Sequence, residues 1–142
     1  MSEALVEDLS TYRTVSQFFR RPLKPDARPI HNDSIVCPSD GKILSFGKLD
    51  SETPRINQIK GLDFSLKALL GPLPNQKTPL VDISEDDYRK LVLNDSENND
   101  LFYTVIYLAP GDYHRFHSPC DWVVDNRRYF PGKYTGQINC LS

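Results

Sequence analysis

The apolar residues near the amino terminus repeat with the period of a helix. Five of them are three or four positions apart and therefore share one face: Leu5, Leu9, Tyr12, Val15 and Phe19. The stripe ends in the sequence FFRRPLKP, where Pro22 and Pro25 cannot continue a helix. The pattern predicts an amphipathic helix over residues 5–19.

Beyond Pro29 the pattern changes to short apolar runs separated by turn residues, which is typical of a mainly β region. The predicted strands cover residues 34–37, 42–49, 56–60, 101–108, 122–125 and 128–130. Residues 64–70 are predicted to form helical turns, and the polar stretch 75–100 a long surface loop. The predicted fold class is α+β, with amino-terminal amphipathic helices over residues 1–28 followed by a mainly β region of antiparallel or mixed sheet over residues 29–142.

Composition limits the possible functions of the 142 residues. The net charge of −2 excludes a general polyanion binder, so no nucleic-acid partner is expected. No apolar run approaches the roughly 20 residues of a membrane-spanning helix. The acidic start MSEALVEDL is unlike a secretory or organelle-targeting segment. The three cysteines, Cys37, Cys120 and Cys140, are an odd count and are expected to be reduced thiols.

The stretch YLAPGDYHRFHSPCDW carries two histidines, His114 and His117, directly after the strongest predicted strand. A zinc site is not expected, since His31 and the cysteines show no ligand spacing. Three interpretations stay open: a Cys-His nucleophile with Cys120, general acid-base chemistry, and one packed and one exposed histidine without a chemical role.

The sequence VCPSDGKI predicts a β-turn, because proline fixes φ and glycine tolerates tight backbone positions. Asp40 lies in this turn, where a carboxylate can orient an imidazole as the third member of a Ser-His-Asp triad does.

A second question concerns the residues Phe18, Phe19, Arg20, Arg21 and Lys24. They form either the solvated end of a packed helix or an interfacial segment whose rings meet lipid and whose cations meet anionic headgroups.

Several motifs together resemble the phosphatidylserine decarboxylase family, specifically its mitochondrial branch. They are YRTVSQFFRRPLKPDARPI, PSDGKI, IKGLDFSLKALLG, YLAPGDYHRFHSPCDW and RRYFPG. The likeness extends from about Leu9 to the end of the chain and omits only the polar stretch 75–100.

The resemblance implies specific roles for four residues. Family members are proenzymes that cleave themselves between Gly and Ser of a Leu-Gly-Ser-Thr motif, and the serine becomes a pyruvoyl group. His117, oriented by Asp40, is implied to activate that serine. The pyruvoyl group then serves as the electron sink when phosphatidylserine loses carbon dioxide to give phosphatidylethanolamine. His114 is the implied proton donor for that step, and Tyr107 is implied to position the substrate.

The resemblance also favours the interfacial interpretation of Phe18, Phe19, Arg20, Arg21 and Lys24, since the substrate is a bilayer lipid. The expected partners are phosphatidylserine and an anionic membrane surface. The expected location is the mitochondrial inner membrane, held peripherally. We expect no counterpart of the family's upstream transit peptide and membrane anchor in these residues.

One departure from the family pattern concerns the cleavage site. None of the seven glycines is followed by serine, so the sequence contains no Gly-Ser bond to cleave. We therefore expect a carboxyl-terminally truncated family member with an incomplete fold, inactive alone, on which no pyruvoyl group forms. A pyruvoyl-bearing carboxyl-terminal chain or a full-length homologue is the expected partner. The alternatives are a non-catalytic lipid- or partner-binding fragment and, ranked lower, an unrelated hydrolase that uses Cys120 and His117.

Overall fold

The computed structural model describes residues 2–49, 55–59, 62–74, 76–124, 126–130 and 137–141. The chain divides into two compact units. The first comprises Met1–Leu44 with Ile106–Trp122, and the second Ser45–Val105 with Val123–Ser142. Each unit therefore combines segments that are distant in sequence.

Helices and strands are both present, which confirms the predicted α+β class. The α-helices are α1 (Val15–Phe19), α2 (Leu66–Leu70) and α3 (Glu85–Val92), and two 3₁₀ turns cover Leu9–Thr11 and Leu80–Asp82. The strands are β1 (Lys42–Lys48), β2 (Arg55–Ile59), β3 (Leu62–Ser65), β4 (Phe102–Tyr107), β5 (Asn126–Phe130) and β6 (Gln137–Leu141). Strand β1 pairs with β4, while β2 with β3 and β5 with β6 form antiparallel pairs.

The predicted helix over residues 5–19 is wrong as a continuous element. The structure has a 3₁₀ turn at Leu9–Thr11 and then the short helix α1. The interruption has a local cause. The Asp8 carboxylate accepts from the Ser10 amide at 2.9 Å, and Thr14 Oγ1 accepts from the Gln17 amide at 3.1 Å. Each cap starts a new helical turn, because the capping residue itself has extended backbone angles.

Two strand predictions are wrong. Residues 34–37 form no strand, and the Val36 amide donates to the carbonyl of Pro119 at 2.8 Å. Residues 122–124 also lie outside any strand. The strands predicted around residues 42–49, 56–60, 101–108 and 128–130 are confirmed, with ends shifted by one or two residues. The dipeptide Pro131-Gly132, whose sequence is also typical of a turn, lies outside the described residues.

The second unit contains an apolar core of Leu49, Ile56, Leu66, Ile83 and Tyr88. Tyr88 is fully buried, and its hydroxyl donates to the carbonyl of Gly71 at 2.5 Å. Tyr88 belongs to α3, so the prediction of a long surface loop over residues 75–100 is wrong. The sequence SEDD begins this helix, since Ser84 Oγ accepts from the Asp87 amide at 3.0 Å.

Candidate active site

The segment that follows β4 begins with a tight turn. The Asp112 amide donates to the Ala109 carbonyl at 2.9 Å, and the Asp112 carboxylate accepts from the Ala109 amide at 2.7 Å. Both bonds close the same four-residue turn, whose centre is Pro110 and Gly111. The turn fixes the direction of the next residues, and Tyr113 is buried directly after it.

The Pro-Ser-Asp-Gly turn lies against the histidine segment. The His117 amide donates to the Pro38 carbonyl at 2.7 Å. Asp40, Tyr113 and His117 line one cavity of about 410 Å³, together with Arg28 and other residues of the first unit. The structure therefore brings together Asp40 and His117, which are distant in the sequence.

Glycine is required at position 41 to bring the Pro-Ser-Asp-Gly turn close to β4. Gly41 has a φ of +128°, and a Cβ there would lie 2.5 Å from the Tyr107 carbonyl oxygen and 2.9 Å from Ile106 Cγ2. A residue with a side chain would be strained at this φ, and its Cβ would be too close to these atoms. The contact holds the neighbouring Asp40 next to the end of β4.

Asp40 is held by a guanidinium. Arg28 Nε donates to one carboxylate oxygen at 2.7 Å and Arg28 Nη2 to the other at 2.5 Å, which is the bidentate geometry. The Arg28 hydrogen bond is the main reason that the pKa of Asp40 lies below its ordinary value. Asp40 is therefore a fixed negative charge at neutral pH.

His117 is exposed, and its partner is Tyr113. The Nε2 atom lies 3.1 Å from the Tyr113 hydroxyl, and the two rings stack with centroids 5.6 Å apart. Among the described residues, no hydrogen bond joins Asp40 to His117. Tyr113 lines the same cavity, and its hydroxyl contacts the imidazole of His117.

His114 is half-buried and has two contacts that define its orientation. Its Nδ1 lies 2.9 Å from the carbonyl oxygen of Asp112. Its ring stacks on Phe19 with centroids 4.4 Å apart and planes 21° apart. Tyr107, the residue implied to position substrate, ends β4 and is 52% exposed.

The predicted membrane-facing residues make many contacts inside the first unit. Arg21 is 7% exposed, lies over the ring of Phe18 and donates to the Gly111 carbonyl at 2.8 Å. The Arg20 carbonyl accepts two hydrogen bonds from Arg115.

Lys24 pairs with Glu7, and Phe18 meets Tyr12 edge-on with centroids 5.9 Å apart. The membrane-facing role of these residues stays a prediction.

Two other sequence candidates make none of these contacts. His31 lines the same cavity, where it is exposed and pairs with Asp33 at 2.8 Å, and Cys120 is a half-buried free thiol. In the described part of the chain, no cluster of three His, Cys, Asp or Glu residues has the arrangement of a metal site. None of the helices described is both long and apolar enough to cross a membrane.

Sequence reasoning missed three residues that contact the candidate site: Arg28, Tyr113 and Phe19. Tyr113 directly precedes His114, but nothing in the sequence distinguishes it from other buried tyrosines. For Phe19, the sequence predicts contact of the ring with lipid, whereas the structure stacks it on the His114 imidazole. The pairing of Arg28 with Asp40 depends on the fold, and the sequence has no signal for it.

Comparison with known proteins identifies the family of the chain. The sequence profile described as phosphatidylserine decarboxylase matches residues 15–139. The chain belongs to the phosphatidylserine decarboxylase family.

Its relatives in this family include three mitochondrial proenzymes. The chain is 50% identical over 134 residues to the mitochondrial phosphatidylserine decarboxylase proenzyme of Rattus norvegicus, covering 93% of this chain and 32% of that protein. It is 37% identical over 132 residues to the Caenorhabditis elegans proenzyme, covering 93% and 30%. It is 34% identical over 192 residues to proenzyme 1 of Schizosaccharomyces pombe, covering 94% and 43%. The chain thus spans about a third of the rat protein.

Proposed function

We propose that this chain supplies the histidine-bearing part of a phosphatidylserine decarboxylase, an enzyme of phospholipid biosynthesis that makes phosphatidylethanolamine and carbon dioxide. The observation that carries the proposal is the shared cavity of Asp40, Tyr113 and His117. An ionised carboxylate, a hydroxyl and an imidazole within one cavity are the groups that activate a serine hydroxyl.

His117 has the role of proton acceptor in this proposal. When its imidazole takes a proton from a serine hydroxyl, it becomes a cation, which the nearby carboxylate of Asp40 stabilises. Arg28 keeps Asp40 ionised, and Tyr113 orients the imidazole ring through its hydroxyl and its stacked ring. His114 is the proton donor for decarboxylation, and Tyr107 contacts the substrate.

A pyruvoyl group would supply the electron sink for decarboxylation. In the family it forms from a serine that follows glycine, and none of the seven glycines here precedes a serine. These 142 residues therefore do not contain a serine from which the pyruvoyl group could form in the way the family uses. We propose that they are inactive alone and that a pyruvoyl-bearing carboxyl-terminal chain or a full-length homologue completes the site.

The proposed surroundings are the lipid surface of the mitochondrial inner membrane, with peripheral attachment. The relatives are named mitochondrial. Three residues of the predicted apolar stripe are exposed: Leu5 at 55%, Leu9 at 59% and Val15 at 68%. Exposed apolar side chains beside the basic Arg20 and Lys24 are suited to an anionic bilayer.

Co-expression with a cleavable partner tests the proposed function. The partner is the carboxyl-terminal part of the rat relative, carrying its Gly-Ser bond, and mass spectrometry detects its cleavage. Release of carbon dioxide from phosphatidylserine vesicles gives the second measurement. We expect cleavage and release with both chains and neither with this chain alone.

The matched variants are His117→Ala and Asp40→Asn, with Asp82→Asn as the control. The first two are expected to abolish cleavage, whereas the control changes an exposed carboxylate of the second unit that does not line the cavity. Cleavage that is unaffected by both site variants, or that proceeds without this chain, would refute the proposal.

A non-catalytic lipid-binding fragment is the second candidate function, favoured by the exposed apolar stripe. Flotation with anionic vesicles at low salt tests it. The double variant Leu9→Ser/Val15→Ser is expected to weaken flotation, and Val81→Ser, at an exposed position of the second unit, is the control. A wild-type chain that stays in solution rules this candidate out.

A further inference from the structure

Three consecutive residues at the end of α1, Phe19 to Arg21, contact the segment from Gly111 to Arg115. The Phe19 ring stacks on His114 at a centroid distance of 4.4 Å. The Arg20 carbonyl accepts from Arg115 Nε at 2.9 Å and Nη2 at 2.6 Å. Arg21 Nη2 donates to the Gly111 carbonyl at 2.8 Å. The helix therefore binds the segment on both sides of His114 and the imidazole ring itself.

The partner of His114 Nδ1 defines the tautomer of the ring. A backbone carbonyl oxygen accepts hydrogen bonds and has no proton to donate. The 2.9 Å contact with the Asp112 carbonyl therefore places the proton of neutral His114 on Nδ1. The second nitrogen, Nε2, then carries the lone pair.

We propose that Phe19 is a positioning residue that holds His114 in its Nδ1–H tautomer, so that Nε2 is the atom that carries and releases the transferable proton. The stacked ring limits rotation of the imidazole plane, which keeps Nδ1 directed at the Asp112 carbonyl. Asp112 is itself fixed by the two hydrogen bonds of its turn. The catalytic role of this tautomer rests on the proposed function. The tautomer itself is inferred from the contacts of His114 alone.

The proton balance at His114 follows from this arrangement. The neutral ring takes a proton on Nε2 and becomes an imidazolium, with Nδ1–H still bound to the Asp112 carbonyl. Release of the Nε2 proton to an acceptor restores the neutral ring in the same tautomer. No reorientation of the ring is needed between the two states.

Long-range ¹H–¹⁵N NMR spectra of the imidazoles test the proposal on the intact chain. They are recorded at about pH 9, where an ordinary histidine is neutral, and His31→Gln and His117→Gln assign the signals. The wild-type His114 is expected to show mainly the Nδ1–H pattern and ring protons shifted upfield by the Phe19 ring. A wild-type spectrum dominated by Nε2–H at His114 would overturn the proposal without any variant of Phe19.

Phe19→Leu keeps an apolar side chain and removes the aromatic ring. It is expected to raise the ratio of Nε2–H to Nδ1–H about 2- to 10-fold, the range that corresponds to an aromatic pair contact, and to abolish the upfield shift. Phe19→Tyr is expected to keep both signals near the wild type. Phe116→Leu is the control, because Phe116 lies between the histidines and is 61% exposed.

Equal tautomer ratios in the wild type and Phe19→Leu, or an equal change in Phe116→Leu, would show that Phe19 does not position His114. The NMR result needs no pyruvoyl group, partner chain or substrate. Failure of the co-expression assay therefore leaves this inference standing, and failure of the NMR test leaves the proposed function standing.

Discussion

Substitution of Arg28 tests the contact that keeps Asp40 ionised. Arg28→Gln removes a bidentate pair with bonds of 2.7 and 2.5 Å. The Asp40 side chain is 23% exposed and that of Arg28 is 38% exposed, so solvent screens part of the attraction. We expect the free energy of unfolding to fall by about 1–2 kcal/mol, between the values typical of exposed ion pairs and of hydrogen bonds to buried charged groups.

The loss of unfolding free energy in Arg28→Gln should be smaller at acidic pH than at neutral pH. The pKa of Asp40 is lowered in the folded chain, mainly by its hydrogen bond with Arg28. The ion pair therefore contributes its full stability above the unfolded value, about 3.9 for an aspartate. The contribution disappears as the pH falls through the lower folded value. The difference between the wild type and Arg28→Gln should be constant at neutral pH and should shrink below about pH 4.

Urea unfolding followed by tryptophan fluorescence measures this difference. Trp122 is the single tryptophan and belongs to the same unit as Arg28. Lys24→Gln is the matched control, because it removes an ion pair between the more exposed side chains of Lys24 and Glu7.

The double variant Arg28→Gln/Asp40→Asn isolates the coupling between Arg28 and Asp40. Additive effects of the two substitutions, or a loss no larger than that of Lys24→Gln, would refute the reasoning.

Two further substitutions test close contacts in the two units. Gly41→Ala should cost about 2 kcal/mol or more in the same fluorescence assay, because its Cβ would lie 2.5 Å from a strand carbonyl at a φ of +128°. Gly111→Ala, which has open space around its Cβ, should cost far less, and equal losses would contradict the argument. Tyr88→Phe should cost about 1–3 kcal/mol, since it leaves the buried carbonyl of Gly71 without its donor. Thermal unfolding by circular dichroism measures this loss, with the exposed Tyr129→Phe as a control that should melt like the wild type.

The parts of the fold that the sequence predicted well are those where one signal dominates. Strand β4 is rich in β-branched and aromatic residues, and its prediction is confirmed within one residue at each end. Helix α3 was missed because the polar composition of residues 75–100 outweighed the capping signal at Ser84. The predicted amino-terminal helix is too long, because the spacing of apolar residues gives no information on capping hydrogen bonds. The bonds of Asp8 and Thr14 interrupt the helix.

The candidate site was predictable as a set of residues but not as a set of contacts. Family resemblance named Asp40, His114 and His117, and two of these share a cavity. Spacing along the chain carries no information on which donor binds Asp40, since Arg28 reaches it only after the chain has folded. The sequence likewise does not indicate what Phe19 contacts, because an aromatic ring can pack against a lipid or against an imidazole.

The contacts of the first unit connect the predicted membrane-facing segment to the candidate catalytic groups. The prediction separated residues 1–28 from residues 29–142, yet Phe19 stacks on His114 and Arg28 binds Asp40 across that boundary. The structure places Met1–Leu44 and Ile106–Trp122 in one compact unit. Under the proposed function, a bilayer that displaced the end of α1 would change the orientation of His114 directly, because one aromatic contact joins them. Membrane attachment and proton transfer would then depend on the same side chain, and loss of the Phe19 ring would alter both.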